Sequence, residues 1–165
     1  MGFFPLAGLV IGAVIYGWVY ISGLLNVPDI SRTLVLVVIP VLITGGIHID
    51  GYMDTSDALN SYGDREKKLD ILKDSHIGAF AVIRLLMYSA VAYIIVQKPD
   101  NMRLLLLALT FYLSRIISCL AAVNFRGARN NGMLHTFTSA TAVKCVNVML
   151  AVQLIICVIL MCLCS

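Results

Sequence analysis

Five apolar runs, residues 3–25, 33–47, 77–97, 103–122 and 143–164, constrain this chain more than any other feature. About 20 apolar residues in helical form cross a hydrocarbon core of about 30 Å, and only helices or closed barrels satisfy their own backbone polar groups there. The runs are long and continuous rather than alternating, which selects helices. Composition agrees, because 60% of residues are hydrophobic, only 13% are charged and the mean hydropathy is +0.93. Soluble domains carry about 25% charged residues. The chain therefore reads as all-α, a polytopic transmembrane helical bundle of about five spans, forming one integral-membrane domain over residues 1–165. Its first run has neither a basic leader nor a small-residue cleavage site before the next run, so it is taken as a span rather than a removable signal.

Local chemistry subdivides the bundle. Gly8 and Gly12 form a GxxxG pattern that invites close approach of a second helix. Pro40 and the Gly45–Gly46 pair predict a kink or an ending at the close of the second run. Asp64 is placed to cap a short surface helix over residues 65–73. The cysteines, Cys119, Cys145, Cys157, Cys162 and Cys164, lie in or beside apolar runs with no zinc-type spacing, and read as small packing residues.

Two polar loops interrupt the apolar pattern, a motif loop over residues 48–76 and a second loop over 124–141. Seven of the nine acidic residues fall between Asp50 and Asp74. With five spans, one side of the membrane collects Arg65, Lys67, Lys68, Lys73, Arg126, Arg129 and Lys144, and the other only Arg32, Lys98 and Arg103. The positive-inside rule then puts both polar loops in the cytoplasm, on one side of the membrane.

The first segment holds the chemistry. Asp50, Asp54 and Asp57 recur at i, i+4 and i+7, so a helix would carry all three on one face. Carboxylates about 6 Å apart repel by about 2–3 kcal/mol per pair at an effective dielectric near 20. Hard oxygen donors at this spacing suit Mg²⁺ or Mn²⁺ shared with water and phosphate oxygens; the plainer alternative is a solvated acidic loop. His48 has three readings open to it: a partner behind the metal ligands, a general base, or an interfacial side chain. Lys73, Asp74 and Ser75 offer a point charge and oxygen donors next to the third run.

Arg84 and Arg115 sit within apolar runs, where a guanidinium costs at least about 2.5–3.5 kcal/mol on insertion scales. Either they face a polar interior and meet an anion, or they snorkel to the interface.

These residues resemble those of a known family, the cobalamin synthases, or adenosylcobinamide-GDP ribazoletransferases. Residues 44–59 read TGGIHIDGYMDTSDAL, similar to the family's TGGLHLDGLADTADGL, and residues 72–81 read LKDSHIGAFA, similar to MKDSRIGTFG. Residues 3–12, FFPLAGLVIG, are similar to FFPLVGLLIG; Ser114 and Arg115 match a later small-residue–Arg pair; Ala128, Arg129 and Gly132 resemble an ARPEGLG loop. Ala58 stands for a glycine, His76 for an arginine, Asn130 for a proline and Leu134 for a glycine. Beside this family, the chain is expected to be shortened at both ends.

The resemblance implies transfer of the phospho-cobinamide moiety of adenosylcobinamide-GDP to α-ribazole or its 5′-phosphate. GMP is released, and adenosylcobalamin or its phosphate forms. It implies Mg²⁺ on Asp50, Asp54 and Asp57, with Lys73, Asp74, Ser75, Arg84, Arg115 and Arg129 toward the substrate. The expected partners are those two substrates and the lipid bilayer, which the resemblance implies is a prokaryotic inner membrane, with no nucleic acid, and either a homo-oligomer or an association with other enzymes of cobalamin synthesis. Two other classes compete on residue chemistry. A CDP-alcohol phosphatidyltransferase also uses spaced aspartates in a membrane, but its DGxxAR opening is missing. A divalent-cation transporter needs acidic residues in successive spans, which this chain lacks.

Overall fold

The structure, a computed structural model, describes residues 2–74, 76–97, 99–125 and 142–164. Seven helices occupy the described residues, which contain no strand: α1 (Leu6–Leu24), α2 (Asp29–Ile43), α3 (Ile47–Asn60), α4 (Arg65–Ile71), α5 (Ala79–Ile95), α6 (Asn101–Asn124) and α7 (Val143–Leu163). The chain divides into two compact units, residues 1–21 with 99–165, and residues 22–98.

In the first unit, α1, α6 and α7 are each long and apolar enough to cross a membrane, at 19, 24 and 21 residues. The GxxxG pattern does what its spacing predicts. A Cβ on Gly8 would stand 2.6 Å from the Phe111 carbonyl oxygen and the Tyr112 Cα, and one on Gly12 would stand 2.6 Å from the Ala108 Cβ. Between α6 and α7, Leu109, Tyr112 and Ile116 share one face and close on Cys157, flanked by Leu113, Leu120, Leu154 and Met161. No disulfide joins the cysteines, and Cys119 and Cys157 are buried. Polar groups in this unit are satisfied by short links: the Tyr112 hydroxyl donates to Gln153 Oε1 at 3.0 Å, and Gln153 Nε2 donates to the Gly2 carbonyl at 2.9 Å. At one end of the helix pair, Asn124 and Asn147 exchange amide hydrogen bonds of 2.9 and 2.8 Å. Asp100 caps α6 by accepting the Arg103 N–H at 2.7 Å.

In the second unit, α2 carries Pro40 and stops three residues later. The Gly45 N–H bonds to the Leu42 carbonyl and the Gly46 N–H to the Val41 carbonyl, the two bonds of a Schellman ending. Gly45 and Gly46 take φ of +61° and +79°, a region glycine enters without steric cost. The Gly46 carbonyl then accepts the Asp50 N–H, so the same residue starts α3. The chain turns by 89° between α2 and α3. Asp64 caps α4, accepting the Lys67 N–H at 3.0 Å. Tyr52 of α3 and Tyr88 of α5 pack with ring centroids 5.9 Å apart.

The span count is smaller than the expected five. Among the described residues, three helices meet the length and hydropathy of a crossing, with a fourth only if α2 and α3 count together as one broken span. The glycine pair ends α2 at 15 residues, and α5 has 17. At 1.5 Å per residue these reach about 22 and 26 Å, short of a hydrocarbon core of about 30 Å. The chain is a multi-pass helical membrane protein, as its apolar runs imply.

Candidate active site

The site is built on the bend. Because α3 begins directly after two left-handed glycines, its first turn is open, and Asp50 sits there, where the helix dipole favours negative charge. Asp54 and Asp57 follow on the same face. All three carboxylates line an open cavity of about 560 Å³, whose wall includes Gly45, Gly46, Ile47, Met53, Ile77 and Ala81. Nothing lies within 4 Å of where a Cβ on Gly45 or Gly46 would stand, so backbone is accessible along this rim.

The three carboxylates are not equivalent. Asp50 is exposed, while Asp54 and Asp57 are half-buried. Asp57 Oδ2 accepts the Gly78 N–H at 2.7 Å and its Oδ1 accepts the Ala81 N–H at 2.8 Å, which ties α3 to the first turn of α5. Among the described residues, no three His, Cys, Asp or Glu side chains gather closely enough to hold a metal ion by themselves. The donor set suits a cation that takes one or two carboxylates and fills its shell with water and substrate oxygens, the habit of Mg²⁺. On that test Asp50 and Asp54, the two without a described cross-helix bond, fit the ion.

Other residues singled out from the sequence are distributed around this site. Lys73 Nζ pairs with Asp70 at 2.7 Å on an exposed surface. Asp74 accepts the His76 backbone N–H at 3.0 Å and pairs with His76 Nδ1. That carboxylate holds the exposed His76 imidazole above its ordinary pKa of 6.5, chiefly through their hydrogen bond, and the same bond lowers Asp74 below 3.8. His48 and Arg84 are exposed, and neither is among the residues lining the cavity. Arg115 is buried in α6, in the first unit. Ser75 and Arg129 lie outside the described residues. Gly78, Met53 and Ala81 stand inside the motifs at residues 44–59 and 72–81 but carry no side-chain chemistry that singles them out; Gly78 and Ala81 matter by bonding Asp57 more than 20 positions away, and Met53 by sharing the cavity wall.

Apolar helices and an open cavity lined by three carboxylates define the class: a multi-pass helical membrane protein with an acidic cavity. The comparisons are more specific. A family model described as cobalamin-5-phosphate synthase (CobS) matches residues 1–165. The chain is 43% identical over 157 residues to the adenosylcobinamide-GDP ribazoletransferase of Lachnoclostridium phytofermentans, covering 95% of this chain and 60% of that one. It is 37% identical over 145 residues to the protein of that name from Alkaliphilus oremlandii, covering 86% and 56%. Over 86 residues it is 48% identical to the Clostridioides difficile protein of that name, covering 51% and 32%. The chain belongs to the cobalamin-5-phosphate synthase family. It spans at most 60% of the length of these relatives. No solved structure matches it.

Proposed function

We propose that this protein is an adenosylcobinamide-GDP ribazoletransferase. It moves the phospho-cobinamide moiety onto α-ribazole or its 5′-phosphate, with release of GMP, and so forms adenosylcobalamin or its phosphate. The observation that carries this reading is the acidic face of α3 opening on one cavity in a chain that matches the family along its whole length.

The residues divide the work. Asp50 and Asp54 bind Mg²⁺, with the Asp57 charge adding to the negative field of the wall. The ion, when bound, supplies charge neutralisation to the substrate diphosphate and the departing GMP. The bare backbone at Gly45 and Gly46 leaves room for a bulky phosphorylated ligand beside the carboxylates. Lys73, Asp74, Ser75, Arg84, Arg115 and Arg129 form the proposed substrate-facing set, on residue chemistry and motif. Balance requires the ribazole hydroxyl to replace GMP at the phosphoryl group bonded to cobinamide, with one proton released.

We place the protein in the cytoplasmic membrane of a prokaryote with the cavity facing the cytoplasm. The support is the basic cluster Arg65, Lys67, Lys68 and Lys73 in the same compact unit as the cavity. Membranes carrying the full gene product, incubated with adenosylcobinamide-GDP, α-ribazole and Mg²⁺, should yield adenosylcobalamin and GMP in equal amounts. No product from membranes that contain the folded protein sinks the assignment.

A further inference from the structure

Asp57 is the carboxylate whose bonding departs from a ligand's. The first N–H groups of α5 have no partner within their own helix, and Gly78 at its N-cap has no side chain to satisfy them. Asp57 satisfies two of them from α3, one oxygen to each N–H, at the short distances of charge-assisted bonds. A negative group at this end also meets the positive pole of the 17-residue α5.

The glycine at 78 points the same way. Its φ is −86°, a value open to any residue, so backbone conformation does not require glycine there. Space does: a Cβ would lie 2.6 Å from Asp57 Oδ1 and 2.7 Å from Oδ2. Only a residue without a side chain lets the carboxylate come this close. Ile77 and Ala81, on either side of Gly78, are themselves cavity wall, so the clamp sets where that wall stands relative to Asp54.

We propose that Asp57 is a positioning residue, which docks the start of α5 onto the carboxylate face of α3 through Gly78 and Ala81 and thereby shapes the cavity in which Asp50 and Asp54 bind the ion. The proposal rests on the transferase reading for its kinetic consequence and on geometry alone for the clamp. It distinguishes Asp57 from the two carboxylates beside it. Asp57 acts through α5, so displacing the carboxylate from Gly78 should do the same damage as altering the carboxylate.

The test uses the full gene product in membranes, with Asp57→Asn, Gly78→Ala and Asp54→Asn variants and rates expressed per folded molecule. Asn is close to isosteric, so Asp57→Asn keeps one acceptor and the local shape. Asp57→Asn and Gly78→Ala should each speed amide hydrogen exchange in the segment 78–81 and lower kcat by about 10–100-fold, the scale of a small misplacement. Both should leave the Mg²⁺ concentration for half-maximal rate within about twofold, while Asp54→Asn raises it by more than about tenfold or abolishes turnover. The positioning role is overturned if Asp57→Asn raises the Mg²⁺ requirement like Asp54→Asn while Gly78→Ala behaves as wild type. It is equally overturned if both variants keep wild-type kcat per folded molecule, since Asp57 is then a brace without effect on the site. If the wild-type protein releases no GMP, the transferase reading fails, and exchange at 78–81 still decides the clamp: unchanged exchange in Asp57→Asn refutes it.

Discussion

Asp50 and Asp54 occupy consecutive turns of α3 and line one cavity, so their charges add at a point where backbone is bare. Replacing either with Asn removes a negative donor while keeping its size. Asp50→Asn or Asp54→Asn should each lower Mg²⁺-dependent GMP release at least about a hundredfold, measured as GMP formed per folded molecule. Full activity in both variants would remove the ion from these residues. Asp74 lets the exposed His76 keep positive charge to higher pH. The raised His76 contributes its part of the pair fully below pH 6.5, and that part is lost as pH rises through the raised pKa. The lowered Asp74 contributes above pH 3.8, and that part is lost as pH falls through the lowered value. The pair is therefore held most firmly between these two values. In an NMR titration the His76 ring should titrate above 6.5, and Asp74→Asn should bring it back toward the ordinary value; no change on removing Asp74 would dissolve the pair.

At the scale of elements, two devices made from glycine shape the chain in different ways. Gly45 and Gly46 act through conformation: their positive φ closes the Schellman ending of α2 and swings α3 through 89°. Without that turn the acidic residues would continue along α2 instead of opening onto a cavity. Gly8 and Gly12 act through size, bringing α1 against α6. Because the obstruction at Gly8 is backbone, a side chain there cannot be accommodated by a rotamer change. Gly8→Leu should cost about 1–3 kcal/mol or more, read as a lower melting temperature in detergent. Gly17→Ala, whose Cβ meets nothing within 4 Å, should melt as wild type. Equal melting of the two variants would mean that α1 does not pack through its GxxxG face. The short α4 shows the third device, a cap: Asp64 was readable as such because capping is settled within three residues.

At the scale of the whole molecule, the apolar runs put the chain in a membrane, and the basic residues in the compact unit that holds the cavity set its expected side. Cysteine in place of Glu66, on α4, should react with an impermeant thiol reagent only when the cytoplasmic face is open; labelling from outside intact cells would reverse the orientation. The membrane class, the bend and the shared acidic face were legible in the sequence, because each follows from periodicity or from residues within one turn of one another; the helix α3 was not, since the segment 48–76 read as a polar loop. The number of crossings was less legible, since hydropathy runs straight through the points where Gly45, Gly46 and Gly78 end or begin helices. Arg84, for which sequence left a polar interior or the interface open, is exposed on α5, since a helix face is assigned only by what packs against it. The opening run of apolar segments thus determined, unaided, that the protein is helical and membranous, and the i, i+4, i+7 spacing determined that three carboxylates share a face. Only the tertiary structure decided that those carboxylates differ. Asp57 meets the N–H groups of Gly78 and Ala81 across 21 and 24 residues of chain, a pairing that depends on how α3 and α5 pack and that no local pattern encodes.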